Sequence, residues 1–101
     1  MLALEIEYKN KRIKQICTNA SVAERKYGLR MAVKIQQRIG EIQNADNVEQ
    51  MIRFGVGRCH PLHGEMKGLY AVDLVHPHRM VFRKKSKGLE IAVIEEVIDY
   101  H

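Results

Sequence analysis

From Leu2 to Lys9 the chain alternates: Leu2, Leu4, Ile6 and Tyr8 on one side, Ala3, Glu5, Glu7 and Lys9 on the other. This period-two pattern predicts an opening strand with one buried face. After Asn10, a candidate cap, the period changes, and Ile13, Ile16 and Cys17 at i, i+3, i+4 predict a short helix with one apolar side. "SVAE" then places Ser21 and Glu24 at the spacing of a capping box. A long helix should run from there to about Asn44, burying Met31, Ala32, Ile35, Ile39 and Ile42, although Gly28 and Gly40 each weaken it. "ADNVEQMIRFG" predicts a further short capped helix that begins at Asp46 or Asn47 and stops near Gly55.

Beyond Gly57 no period is sustained, and "GRCHPLHGEMKG" reads as a loop or an irregular approach to a strand. "LYAVDLVH" and "HRMVFRKK" are rich in aliphatic, β-branched and aromatic residues around a turn at Pro77, which predicts an antiparallel hairpin. "KSKG" supplies the next turn, and the apolar density of "LEIAVIEEVID" predicts a central strand. The order predicts an α+β fold: an N-terminal strand, two or three helices, then three antiparallel strands, with the helices packed on one face of the sheet. Residues 1–101 should form one domain. A terminal "DYH" that extends a paired strand would be held in position, whereas an unpaired end would fray.

Charge adds a direction to this picture. Seventeen Lys and Arg against twelve Asp and Glu leave a net +5, a surplus that suits a polyanionic partner such as nucleic acid. Cys17 and Cys59 are the only cysteines and lie far apart, which fits neither a disulfide framework nor a zinc ribbon and agrees with a reducing cytoplasm. Glu5 and Glu7 interrupt the apolar start, so neither a signal peptide nor a membrane span is expected.

The residues able to move protons or hold charge are His60 and His63 with Lys67 in the loop, Arg79 on the hairpin, and Asp99, Tyr100 and His101 at the end. Such a set suits metal-independent RNA cleavage, in which the ribose 2′-oxygen loses a proton, attacks the adjacent phosphate and expels the 5′-oxygen. Histidine exchanges protons near neutral pH, and a guanidinium stabilises charge on the pentavalent phosphate. By spacing alone, exposed loop histidines and a surface arginine are the commoner explanation. "CHPLH" and "HPH" also bring potential metal ligands together, but neither has a familiar zinc spacing, and no metal or cofactor is expected. Arg30, Lys34 and Arg38 on the long helix, with Arg83, Lys84 and Lys85, could hold phosphates without reading bases. A solvated helix face would look the same. Tyr8, Tyr27 and Phe82 are assigned to packing.

The segment "GRCHPLHGEMKGLYAVDLVHPHRMVF", followed by the terminal "VIDYH", resembles the HigB-type toxins of the RelE/ParE superfamily. The resemblance covers most of the chain in element order and is most specific in the "HPL" loop, the "HRMVF" strand and the "DYH" ending. It implies a compact antiparallel sheet with helices on one side. It also implies the toxin of a bacterial or archaeal type II toxin–antitoxin module: an endoribonuclease that cuts mRNA on the ribosome without a metal and is silenced by a HigA-like antitoxin. Carried over residue by residue, the family's active-site positions match His60, Arg79, Asp99, Tyr100 and His101, with Lys67 as an additional phosphate contact. Relatives commonly have lysine within the "HPLKG" loop where this chain has His63, which would then be a weaker phosphate clamp or a shifted acid–base group. The alternatives are a ParE-like protein that poisons DNA gyrase by binding it, and an inactive member of the same fold kept for partner binding.

Overall fold

In the computed structural model, which describes residues 4–87 and 89–99 (Lys87 by its backbone), the alternating start forms β1, Glu5–Tyr8. Helix α1, Lys11–Thr18, begins as its sequence suggests: the Asn10 side chain accepts a hydrogen bond from the Ile13 amide at 2.9 Å, and Ile13, Ile16 and Cys17 are buried. The long helix is divided. Asn19, rather than Ser21, caps α2, Ala20–Tyr27, and its Oδ1 accepts from the Ser21 amide and hydroxyl. Ser21 therefore lies inside the first turn, and the expected capping box does not form. Gly28, at φ +93°, breaks the run before α3, Leu29–Asn44. In that left-handed region glycine meets no Cβ penalty, so the chain can turn while Ala23 and Met31 reach the same core. Helix α4, Val48–Arg53, is capped by Asn47, and Glu90 Oε1 accepts from its Val48 amide at 2.7 Å.

Two short 3₁₀ turns, Val56–Arg58 and Gly64–Met66, flank the two-residue strand β2, His60–Pro61. Strands β3, Leu69–Asp73, β4, His78–Lys87, and β5, Leu89–Asp99, complete a five-stranded sheet of order β1-β5-β4-β3-β2. β1 runs parallel to β5, while the other neighbouring pairs are antiparallel. β5 thus has neighbours on both sides, in keeping with its apolar sequence.

Alternation separates the sheet into two faces. Tyr70, Val72, Met80, Phe82, Ala92 and Ile94 meet the helices, where Ile13, Ile16, Ile35, Ile42 and Met51 complete the main core. Phe82 is fully buried and stacks on Tyr70 with ring centroids 5.6 Å apart. On the other face a smaller cluster of Leu62, Ala71 and Val81 packs with Met66, Leu69 and Ile98. A bulge decides where Ile98 falls. Val81 pairs with Glu96 and Phe82 with Ile94, so Glu95 is an extra residue on β5. The insertion shifts the phase: Val97 joins Ala92 and Ile94 in the main core, and Ile98 turns to the face carrying Arg79.

Farther along that face Lys85 pairs with Glu7 at 2.9 Å and Arg83 with Glu95 at 3.1 Å. The Lys85–Glu7 pair spans β5, on which Ile91 and Val93 are buried on this face. Among the described residues no helix is long and apolar enough to cross a membrane.

Candidate functional site

On the face away from the helices, neighbouring strands set His60, Asp73, Arg79 and Ile98 side by side. His60 on β2 is opposite Ala71, while Arg79 on β4 is opposite both Asp73 on β3 and Ile98 on β5. The Val56–Arg58 turn closes one end of this row. Gly55, Gly57 and Arg58 all adopt positive φ, and for Arg58, at +54°, that conformation carries a side-chain penalty. The turn directs the Arg58 carbonyl to His60 Nδ1, 2.8 Å away. A carbonyl oxygen only accepts, so Nδ1 carries the hydrogen, and Nε2 of the neutral ring keeps its lone pair.

Asp73 gathers the cations. Its Oδ2 is 3.0 Å from Arg58 Nε, and its Oδ1 is 3.4 Å from Arg79 Nε. The second contact is ionic but lies outside hydrogen-bonding geometry: Asp73 Oδ1 is buried and accepts no hydrogen bond among the described residues. A cavity of about 240 Å³ opens here, lined chiefly by Arg58, Asp73, His76, Pro77, His78 and Arg79. His78 is held by an edge contact with Tyr27 at 5.6 Å.

Beneath the turn, Arg38 Nε donates to the Asp73 carbonyl at 2.6 Å and its Nη1 pairs with Glu41 at 2.7 Å. A Cβ on Gly57 would come within 2.8 Å of Arg38 Nε, so only glycine permits this approach. With its side chain 13% exposed, Arg38 is a buttress of the turn rather than the RNA-facing cation expected from its place in the helical row. Its place follows the helical spacing, but its side chain reaches the end of β3 at Asp73.

The remaining sequence-derived candidates are distributed as follows. β5 stays paired through Asp99, an exposed residue opposite His78; Tyr100 and His101 lie outside the described residues. His63 and Lys67 are exposed on either side of the Gly64–Met66 turn, between β2 and β3. Arg30 is exposed on α3, and Lys34 bonds Gln37 at 3.0 Å. Arg83 and Lys85 are committed to Glu95 and Glu7, while Lys84 is exposed. Arg58 and Asp73 are absent from the sequence-derived set. Their signal was slight: glycines around "GVGR", and an acid and a base facing each other across a hairpin.

Among the described residues no group of three or more His, Cys, Asp and Glu side chains is arranged to hold a metal ion. Burial pushes the Cys59 thiol up to about 11 and the Cys17 thiol up to about 12. Both are buried and serve as packing groups of the core.

In sequence, the chain matches no family model and no curated protein. In structure, it is similar to the YoeB/ParE toxin from Agrobacterium tumefaciens, over 97% of this chain and 100% of that one, with a TM-score of 0.66 and 17% sequence identity. At that identity the likeness is one of fold: among the described residues, four α-helices and a mixed five-stranded sheet arranged as in that toxin.

Proposed function

We propose that this chain is the toxin of a type II toxin–antitoxin system, a HigB-type, metal-independent endoribonuclease that cuts mRNA on the ribosome in the cytoplasm and is neutralised by a HigA-like antitoxin. One observation carries the reading: Arg79 sits between Asp73 and Ile98 on the face that also bears His60, at the end of β5 that leads to Asp99, Tyr100 and His101. A cation, a histidine with an available Nε2 and the terminal phenol and imidazole are the groups that transesterification needs. The fold of the Agrobacterium toxin agrees with this reading.

In this assignment the RNA backbone lies across the open face, and Arg79 stabilises the charge that builds on the phosphate. His60 Nε2 faces the 2′-hydroxyl as base, and His101 protonates the departing 5′-oxygen. Asp99 and Tyr100 orient that acid, while His63 and Lys67 hold a neighbouring phosphate from the loop. Arg30 and Lys34 add sequence-independent attraction for ribosomal RNA.

The test is to induce the wild type and an Arg79→Ala, His101→Ala double variant in cells, map transcript ends and assay DNA gyrase supercoiling. Cleavage at translated codons that disappears in the variant is the expected result. Intact transcripts with inhibited supercoiling would favour the ParE-like alternative, and no effect in either assay would favour an inactive partner-binding role.

A further inference from the structure

Arg58 and Asp73 have no part in the assignment above, yet Asp73 faces both Arg58 and Arg79 at the mouth of a cavity. The cavity of about 240 Å³ is lined by two guanidinium groups and one carboxylate, with His76 and His78 adding protonatable rings. Two guanidinium groups face a single carboxylate among the residues that line it.

The two arginines are held differently. Arg79 is anchored within β4, its side chain 25% exposed, whereas the Arg58 side chain is 77% exposed and meets Asp73 from a strained turn. A backbone held at positive φ in a non-glycine residue costs free energy and persists where the surroundings demand it. Here the turn serves both ends of Arg58, its carbonyl on His60 and its guanidinium over the cavity. The Asp73 backbone is pinned from below by Arg38, so its carboxylate cannot readily follow if Arg58 moves.

We propose that this cavity is a phosphate-binding subsite in which the Asp73 carboxylate occupies the anion position until a phosphate displaces it from Arg58. The incoming phosphate oxygens take up the Arg58 guanidinium while Arg79 faces them from the strand, and Asp73 remains beneath as the internal competitor. Asp73 thereby sets how strongly the site attracts anions, and Arg58 is the arm that changes partners. That the natural occupant is an RNA phosphodiester next to the one being cut rests on the nuclease reading; the anion site itself does not.

The experiment compares wild type with Arg58→Gln, Asp73→Asn and the double variant, each titrated with inorganic phosphate and with a 2′-O-methyl trinucleotide, following the amides of Leu74, Val75, His76, His78 and Arg79 by NMR. Removing the competitor should tighten phosphate binding about tenfold, and removing the mobile arm should weaken it about tenfold, the scale of one charge-assisted hydrogen bond. In the double variant, which restores the charge balance should Asp73→Asn alone fold poorly, the gain from losing the carboxylate must shrink, because the cation it would release is gone. Phosphate affinity unchanged in Arg58→Gln, or unchanged or weaker in a folded Asp73→Asn, overturns the proposal. So does a double variant that binds as tightly as Asp73→Asn. A wild type that follows the predicted order but cuts no ribosome-bound mRNA would defeat the nuclease reading and leave the anion site standing. Cleavage by a wild type whose phosphate affinity ignores both substitutions would do the reverse.

Discussion

Replacing Arg38 with alanine separates a structural cation from an RNA-binding one. Its Nε bond to the Asp73 carbonyl, at 2.6 Å, is charge-assisted and partly buried, the kind whose loss costs about 1.5–3 kcal/mol. The Glu41 pair is more exposed and adds about 0–1 kcal/mol. Together they predict a destabilisation of roughly 1.5–4 kcal/mol, which for a domain of this size lowers Tm by roughly 6–30 °C. Arg30 shares the i, i+4 row but is exposed, so Arg30→Ala should move stability by no more than about 0.5 kcal/mol. Urea and thermal unfolding followed by circular dichroism measure the first effect. Binding to single-stranded RNA at several salt concentrations measures the second, where Arg30→Ala should reduce the salt slope by about one phosphate contact. An Arg38→Ala protein that melts within about 2 °C of wild type, a shift far smaller than the predicted one, while losing RNA affinity as Arg30→Ala does, would refute the buttress role.

Other substitutions probe the core and the turns. Phe82→Ala removes a fully buried ring stacked on Tyr70 and should cost about 3–5 kcal/mol in urea denaturation. Gly28→Ala meets no atom within 4 Å but must hold φ +93°, so it should destabilise by about 1–3 kcal/mol; a neutral result would mean that the α2–α3 break relaxes. Cys17 and Cys59 should resist thiol reagents at pH 8 until the chain is unfolded. Burial raises both thiols above the ordinary value of 9.0, to about 12 and about 11. Unfolded thiols therefore release protons that the folded ones retain, and their contribution to stability is full below pH 9 and lost as pH rises toward 11–12. Replacing both with alanine should flatten that alkaline decline.

Local patterns predicted local structure well, because they record which side of an element is buried. The alternation around Ile6 and Tyr8 and the Ile13, Ile16, Cys17 triad correspond directly to β1 and α1. The break at Gly28 was visible as a weak point but not as a turn, since its cause is the need for Ala23 and Met31 to reach one core from two directions. Pairings distant in sequence left little trace. Nothing local announces that β1 lies parallel beside β5, or that an extra Glu95 shifts the phase so that Ile98 accompanies Arg79. Arg38 illustrates the same limit, being indistinguishable from Arg30 by spacing and separated from it by a bond to Asp73 across the fold. Of the candidates drawn from the sequence, His60 and Arg79 come to one face, while Tyr100 and His101 lie outside the described residues. Arg58 and Asp73 became apparent only once the glycine-bearing turn and the hairpin were placed side by side.

The most direct test is single-turnover cleavage of a defined mRNA on purified, programmed ribosomes by wild type and Arg79→Ala, with folding of each checked by circular dichroism. The account predicts cutting within the occupied decoding site without added transition metal, and a loss of about 10²–10³ in rate for the variant, the scale expected when one electrostatic stabiliser is removed. A wild type that leaves the message intact, or a variant that cuts as fast as wild type, would contradict it.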